Sequence, residues 1–251
     1  YYEVPGEVVL TFQQDFRNQK YVQDASAAIL IDDNSGTITT SYAIGDGITG
    51  LIGTLSEYGN MLQFVPAVDP GAATSTGNVI TPEVITINEM VTNFEEYEAE
   101  LVQILDVTFA NGGELFDVGT EYPISDDSKA EGVFRTTFYD VDYIGTPVPP
   151  VPCDITGLCN SRWEGDFITS RSLEDIIVPP TLLVLDPNGG EQVEQTTDYE
   201  IVWDAFSFDG PINIELVNDL TKDVEVLATE VPVENGSYMW NVVQDYGDNY
   251  K

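Results

Sequence analysis

The sequence predicts an all-β protein, built of two related β-modules followed by a third β-unit. Short apolar or β-branched runs recur along the chain, separated by Gly, Asn, Asp and Ser, as is typical of strands joined by turns. The letters ITGL, followed by a turn with an aromatic tip and an apolar run, occur at 48–64 and return at 155–168. After residue 180 the strand-like runs return about every ten residues, which is the spacing of a β-sandwich.

The first module is predicted at residues 1–83. Its strand-like runs are EVVLTFQ (7–13), AAILIDD (27–33), GITGLIGTL (47–55) and MLQFVP (61–66). EYGN at 57–60 forms a hairpin tip. The segment 67–83 consists of small residues interrupted by proline, and we interpret it as a linker.

The second module is predicted at residues 84–178 and begins with the one helix signal in the chain. Thr86 and Glu89 have the spacing of a capping box, and an apolar stripe through Val91, Phe94 and Tyr97 predicts one or two helical turns. Five strand-like runs follow: LVQILDVTFA (101–110), ELFDVG (114–119), GVFRTTFYD (132–140), DITGL (154–158) and DFITS (166–170).

The third unit, residues 179–251, has five strand-like runs: TLLVLD, YEIVWDA, INIELVND, VEVLATEV and YMWNVV. Ile201 and Trp203 alternate with Val202, which predicts one apolar face and one wet face. The unit is short compared with the roughly 100 residues of an immunoglobulin domain. It stops at DNYK, where another strand is expected, so we expect the unit to be incomplete and the natural chain to continue past Lys251.

The first two modules resemble oligonucleotide/oligosaccharide-binding (OB) folds. YVQDASAAILI (21–31) and YAIGDGITGLIGTLSEYGNMLQFVP (42–66) resemble an OB-like domain of unknown function from secreted and surface proteins of Gram-negative bacteria, although Ala27, Ala28 and Asn60 stand where Gly is usual. The later stretches, LVQILDVTFANGGELFDVG and ITGLCNSRWEGDFITSRSLEDI, look like the OB module found beside some secreted bacterial nucleases. The resemblance implies two OB-like barrels; one expanded barrel bridged by a helix at 86–100 is the alternative.

The third unit is similar to the Ig-like module first described in fungal cell-wall-synthesis proteins, which is common in bacterial surface proteins. The similarity lies in LLVLDPNGGEQVEQTTDYEIVWDA (182–205), where the PNGGE and IVW elements match and Val193 stands where Trp is usual. It implies an Ig-like β-sandwich, and the expected fold class is therefore two OB-like barrel modules followed by that sandwich.

The net charge excludes several classes of partner. The chain has 44 acidic and 8 basic residues, for a net charge of −36. Nucleic acid is not an expected partner, because its backbone is bound mostly by clustered Lys and Arg, and an anionic membrane surface is a poor partner for the same reason. No apolar run approaches the roughly 18 residues of a membrane span, so no membrane insertion is expected.

The two cysteines, Cys153 and Cys159, do not have the spacing of a redox or zinc site. A short local disulfide is the predicted state, and it implies an oxidising compartment outside the cytoplasm. The alternative is two reduced thiols in the core.

Catalytic and cofactor signals are weak. The chain has no His, which removes the commonest general base and metal ligand, and GDGITG (45–50) runs into a β-run rather than a helix, so we interpret it as a turn. No nucleophile motif is present, and we expect no enzyme activity and no cofactor. A weak Ca²⁺ site is the one metal hypothesis, with Asp32, Asp33, Asp126 and Asp127 as candidate ligands in acidic loops.

Tyr58 and Trp163 are the candidate ligand-binding residues, because both lie at the tips of predicted hairpins and could stack on a sugar ring. The alternative is that these rings close the ends of the barrels. The sequence therefore predicts a non-catalytic segment of an extracellular or cell-surface bacterial protein, acting as a spacer, adhesin or assembly module. Its expected partners are other surface proteins, copies of itself or glycans; the alternative is a glycan-binding accessory module of a larger secreted enzyme.

Overall fold

The computed structural model describes residues 1–218 and 220–243, and it confirms the predicted all-β class. The chain divides into two compact units, Tyr1–Ile177 and Val178–Lys251. The first unit contains two barrel-like sheets and the second contains a small sandwich.

The first sheet has seven strands in the order β1-β6-β7-β4-β3-β2-β5. The strands are β1 (Tyr2–Glu3), β2 (Val8–Gln14), β3 (Gln19–Gln23), β4 (Ala28–Ile31), β5 (Gly47–Ile48), β6 (Ile52–Tyr58) and β7 (Met61–Pro66). The β4–β7 pair is parallel and the other pairs are antiparallel. β5 lies at one end of this strand order, and β6 is next to the other end. Because β6 follows directly after β5 in the chain, their connection joins the opposite sides of the curled sheet.

The second sheet has the order β14-β12-β13-β11-β10-β9-β8. Its strands are β8 (Glu83–Val84), β9 (Leu101–Phe109), β10 (Glu121–Ser125), β11 (Glu131–Arg135), β12 (Cys153–Arg162), β13 (Gly165–Thr169) and β14 (Ile176–Ile177). An additional antiparallel pairing of β12 with β9 closes a five-stranded barrel.

The two sheets repeat one topology. In each, a three-stranded meander is followed by a hairpin whose second strand runs parallel to the third strand of the meander, pairing Ile31 with Phe64 and Phe134 with Ile168. The repeated ITGL letters do not mark equivalent positions, since the first set lies between β5 and β6 and the second lies inside β12. The structural counterpart of Gly157 is Gly53. Gly157 precedes Arg162, the last paired residue of β12, by the same number of residues as Gly53 precedes Tyr58, the last paired residue of β6.

The predicted helix is present as two short segments, α1 (Ile87–Thr92) and α2 (Phe94–Tyr97). The capping box is formed, because Thr86 accepts from the amide of Glu89 while the Glu89 carboxylate accepts from the amide of Thr86. This helical turn precedes β9, so it leads into the second barrel. Within the part of the chain that the structure describes, no helix has the length and apolar character required to cross a bilayer.

The two barrels share a buried seam that makes them one unit. Residues of the first sheet pack against residues around the second, in a cluster of Tyr21, Leu30, Met61, Ala99, Leu101, Phe138 and Leu158. The buried hydroxyl of Tyr21 donates to Asn160 Oδ1 at 2.6 Å, and the Arg171 guanidinium donates to the carbonyl of Thr11 at 3.0 Å. These polar contacts fix the register of one barrel on the other.

The second unit packs a three-stranded sheet, β15-β16-β19, with a two-stranded sheet, β17-β18. The strands are β15 (Thr181–Asp186), β16 (Asp198–Phe206), β17 (Pro211–Val217), β18 (Val224–Pro232) and β19 (Ser237–Asn241). Trp203 faces inward as predicted, is 3% exposed, and packs with Val231 and Val233. The expected break at DNYK (248–251) lies outside the described residues.

The predicted disulfide is wrong: Cys153 and Cys159 are both free and buried. Both residues belong to the single continuous strand β12. A strand rises about 3.3 Å per residue, which separates the two Cα atoms by far more than the roughly 7 Å that a disulfide can span. The alternative, two thiols in the core, is the observed state, and the inference of an oxidising compartment loses this support.

We expect both thiols to react only after unfolding. Burial raises the pKa of Cys153 to about 12 and also raises that of Cys159, so neither forms the reactive thiolate in the folded state. Titration with a thiol reagent, without reductant, should detect two thiols per chain in denaturant and almost none in native buffer. A count of zero in denaturant would restore the disulfide.

Candidate functional site

A groove of about 520 Å³ lies in the first unit between one face of the first barrel and the end of β12. Its floor is formed by side chains on neighbouring strands, because Tyr21 pairs with Leu30, and Gln63 pairs with both Leu30 and Ser56. The opposite wall comes from the second barrel and contains Asn160, Ser161, Arg162 and Phe167. The site therefore requires both barrels.

The two sequence-predicted aromatic residues meet at one end of this groove. Tyr58 ends β6, and Trp163 lies in the turn between β12 and β13. Their ring centroids are 4.8 Å apart, and the ring planes meet at 67°. Tyr58 is 55% exposed and Trp163 is 62% exposed, so the pair presents an accessible aromatic surface. Of the two, Tyr58 lines the groove itself.

A second aromatic pair, which sequence reasoning missed, also lines the groove. Phe16 and Tyr139 come from loops of the first and second barrel, and their rings meet edge to face with centroids 6.4 Å apart. Both are exposed. Phe16 follows a predicted strand, and Tyr139 lies in the predicted strand-like run 132–140, whose observed strand ends at Arg135, so neither has a local signal for a binding role.

One wall carries a chain of hydrogen-bonded polar side chains. Gln14 Nε2 donates to Gln19 Oε1 at 2.7 Å, and Gln19 Nε2 donates to Asp32 Oδ1 at 3.0 Å. Arg17 Nε donates to the same oxygen at 2.6 Å, and its Nη2 donates to Asp32 Oδ2. Burial raises the pKa of Asp32, but the hydrogen bonds from Arg17 and Gln19 outweigh it and hold the pKa below its ordinary value. The Arg17–Asp32 pair is thus a fixed, internally neutralised element of the wall.

The segment that presents Arg17 has a strained backbone. Arg17 and Asn18 have φ values of 53° and 49°, in the left-handed region that non-glycine residues rarely adopt. Side chains hold this turn in place, since Asn18 Nδ2 donates to Asp33 Oδ2 at 2.7 Å and Lys20 Nζ donates to Asn18 Oδ1 at 2.7 Å. Such strain persists only where the surroundings over-determine it, and it is concentrated at functional sites.

The four aspartates considered as Ca²⁺ ligands have structural partners. Asp32 pairs with Arg17, and Asp33 accepts from the amides of Thr37 and Ile38. Asp126 accepts from the amide of Ile87 at the start of α1 and from Ser128, and the exposed Asp127 lies 3.7 Å from Lys129 Nζ. Over residues 1–218 and 220–243 no group of three or more Cys, Asp or Glu residues has the arrangement of a metal site.

Two polar side chains line the groove with polar atoms that stay accessible to solvent and make no hydrogen bond to another described residue. Gln63, on β7, is 7% exposed, and Ser161, on β12, is 5% exposed. The amide of Gln63 and the hydroxyl of Ser161 face the groove from opposite barrels. No sequence signal identifies them, because each occupies an ordinary alternating position of a strand.

Comparison with known proteins identifies only a distant structural similarity. No protein-family model matches the chain, and no curated protein matches it. Among solved structures, the chain is similar to the crystal structure of the p204 HINb domain, with 14% sequence identity and a TM-score of 0.28. The alignment covers 67% of this chain and 93% of that one.

Proposed function

We propose that this chain is a non-catalytic binding segment of a secreted or surface-displayed bacterial protein, and that its groove binds an oligosaccharide. A sugar ring offers an apolar face and an edge of hydroxyl groups. The groove offers the matching surfaces: accessible aromatic rings at Tyr58, Phe16 and Tyr139, and a fixed polar wall. OB folds use the corresponding sheet face and loops for oligosaccharides and oligonucleotides.

The observation that carries the proposal is the pair of unpartnered polar side chains, Gln63 and Ser161. Their polar atoms are open to the groove rather than enclosed in the core, so a ligand that displaces water from the groove can bind them. A ligand with hydroxyl groups would supply both partners at once. Because the two residues belong to different barrels, the ligand would contact both sides of the groove.

The chemistry of the groove favours binding over hydrolysis. Glycoside hydrolysis uses two carboxyl groups that are free to act as acid, base or nucleophile. Two carboxylates line the groove, Asp32 and Glu57, and Asp32 is held by Arg17 and Gln19, so the groove does not offer two free carboxyl groups. The net charge of −36 makes nucleic acid a poor ligand and suits a protein exposed to solvent outside the cell. An adhesin that binds glycans combines the two expected roles, surface attachment and glycan binding. A pure spacer would not use the groove.

A glycan array probed with the whole chain tests this function. We expect retention on a restricted set of oligosaccharides, and we expect Tyr58→Ala and Trp163→Ala each to weaken that binding about tenfold through lost ring contact. Tyr1→Ala is the matched control, because Tyr1 is 89% exposed and does not line the groove. An array without any retained glycan, or binding that both groove variants leave unchanged, would favour the spacer role instead.

A further inference from the structure

Arg162 differs from every other basic side chain that the structure describes. Four basic residues form ion pairs with carboxylates (Arg17, Lys129, Arg135 and Arg171), Lys20 donates to Asn18, and Lys222 is also not without a partner. The side chain of Arg162 has neither an ion pair nor a hydrogen bond within residues 1–218 and 220–243. In a chain with 44 acidic residues, a guanidinium without a carboxylate partner calls for a structural explanation.

The position of Arg162 in the groove offers that explanation. It is the last residue of β12, it is half-buried, and it lines the groove together with Tyr58 and the unpartnered Ser161. The backbone around it is held in place, since Asn60 Nδ2 donates to the Arg162 carbonyl across the two hairpin tips at 3.4 Å. A guanidinium that lines a groove and has no counter-ion among the described residues is free to pair with an anionic group of a ligand.

We propose that the oligosaccharide is acidic, and that one carboxylate of a uronic acid unit pairs with the Arg162 guanidinium. This inference rests on the proposed function. Arginine presents a planar fork of donors that matches a carboxylate in two parallel hydrogen bonds. Tyr58 then contacts the face of the sugar, while Ser161 and Gln63 bind its hydroxyl groups.

The groove fits an isolated carboxylate better than a dense polyanion. Arg17, the other basic residue of the groove, is already neutralised by Asp32. A heavily sulfated glycan or a nucleic acid needs several free cations to replace its counter-ions. Such a ligand would meet one free cation here and would be repelled by the rest of a strongly acidic chain.

The test is calorimetric titration of the whole chain with oligomers of galacturonate, glucuronate and mannuronate, each compared with its methyl ester. The ester keeps the ring and the linkage but removes the charge. We expect one uronate to bind about tenfold or more tightly than its ester. Arg162→Gln should remove this preference, because it weakens binding of the uronate much more than binding of the ester, and it should not alter the melting temperature. Lys129→Gln, the same charge change at a site outside the groove, should change nothing.

The outcomes separate this inference from the function on which it rests. Equal binding of acid and ester, an equal effect of Arg162→Gln on both, or binding of other glycans on the array but of no uronate would each overturn the acidic ligand and leave oligosaccharide binding intact. An array on which no glycan at all is retained would overturn both.

Discussion

Phe134→Ala is expected to lower the free energy of unfolding of the first unit by about 3–5 kcal/mol, the range for truncating a buried Phe. Phe134 is fully buried in the second barrel. Its ring lies 5.4 Å from that of Phe109, 5.5 Å from that of Phe116 and 5.9 Å from that of Tyr143, measured between centroids. The surrounding rings are rigid and cannot collapse into the cavity, so the cost should fall toward the upper end of this range.

Urea unfolding followed by circular dichroism measures this loss. The control is Phe16→Ala, which removes a ring that is 55% exposed at the groove, and which should change the unfolding free energy by no more than about 0.5 kcal/mol. The same control should weaken glycan binding. A loss below about 1 kcal/mol for Phe134→Ala would contradict the closed aromatic core of the second barrel.

Gly157→Ala should be the second most damaging of these changes, with a loss of about 2–3 kcal/mol from overpacking. A Cβ at this position would lie 2.7 Å from the carbonyl oxygen of Thr169 and 2.7 Å from Ile168 Cγ1. The strand cannot move away, because Gly157 is also in register with Val102 of β9 on its other side.

Gly132→Ala provides the matched comparison, again by urea unfolding. Its added Cβ would meet the side-chain methyl group Ile87 Cγ2 at 2.8 Å, rather than a backbone atom. A side chain can rotate out of the way more easily than a paired strand, so the loss should be smaller than at Gly157. A larger loss at Gly132 would contradict the tight β12–β13 pairing.

Local signals in the sequence were enough to predict the β class, the capping box at Thr86 and Glu89, and the hairpin tips. Each of these depends on residues close together in the chain. The predicted disulfide is wrong because the spacing of Cys153 and Cys159 does not reveal that one strand runs through both. The run DITGL between the two cysteines is itself predicted as a strand, and the structure extends that strand through both cysteines.

The candidate site was only partly predictable. Turn position pointed to Tyr58 and Trp163, but the contact between their rings depends on how the two barrels pack, which no local pattern encodes. Gln63, Ser161 and Arg162 have no signal of their own in the sequence. These side chains are candidates because they have no partner within the described residues. That property depends on the positions of the surrounding strands, which the sequence does not show directly.

The most direct measurement of the central claim is an amide-shift titration of the isotopically labelled whole chain with the tightest-binding oligosaccharide from the array. We predict saturable shifts at the amides of Tyr58, Gln63, Ser161 and Arg162, from both walls of the groove, and none in the second unit. Shifts confined to residues outside the groove, or a spectrum that no oligosaccharide perturbs, would contradict the assignment of this groove as the binding site.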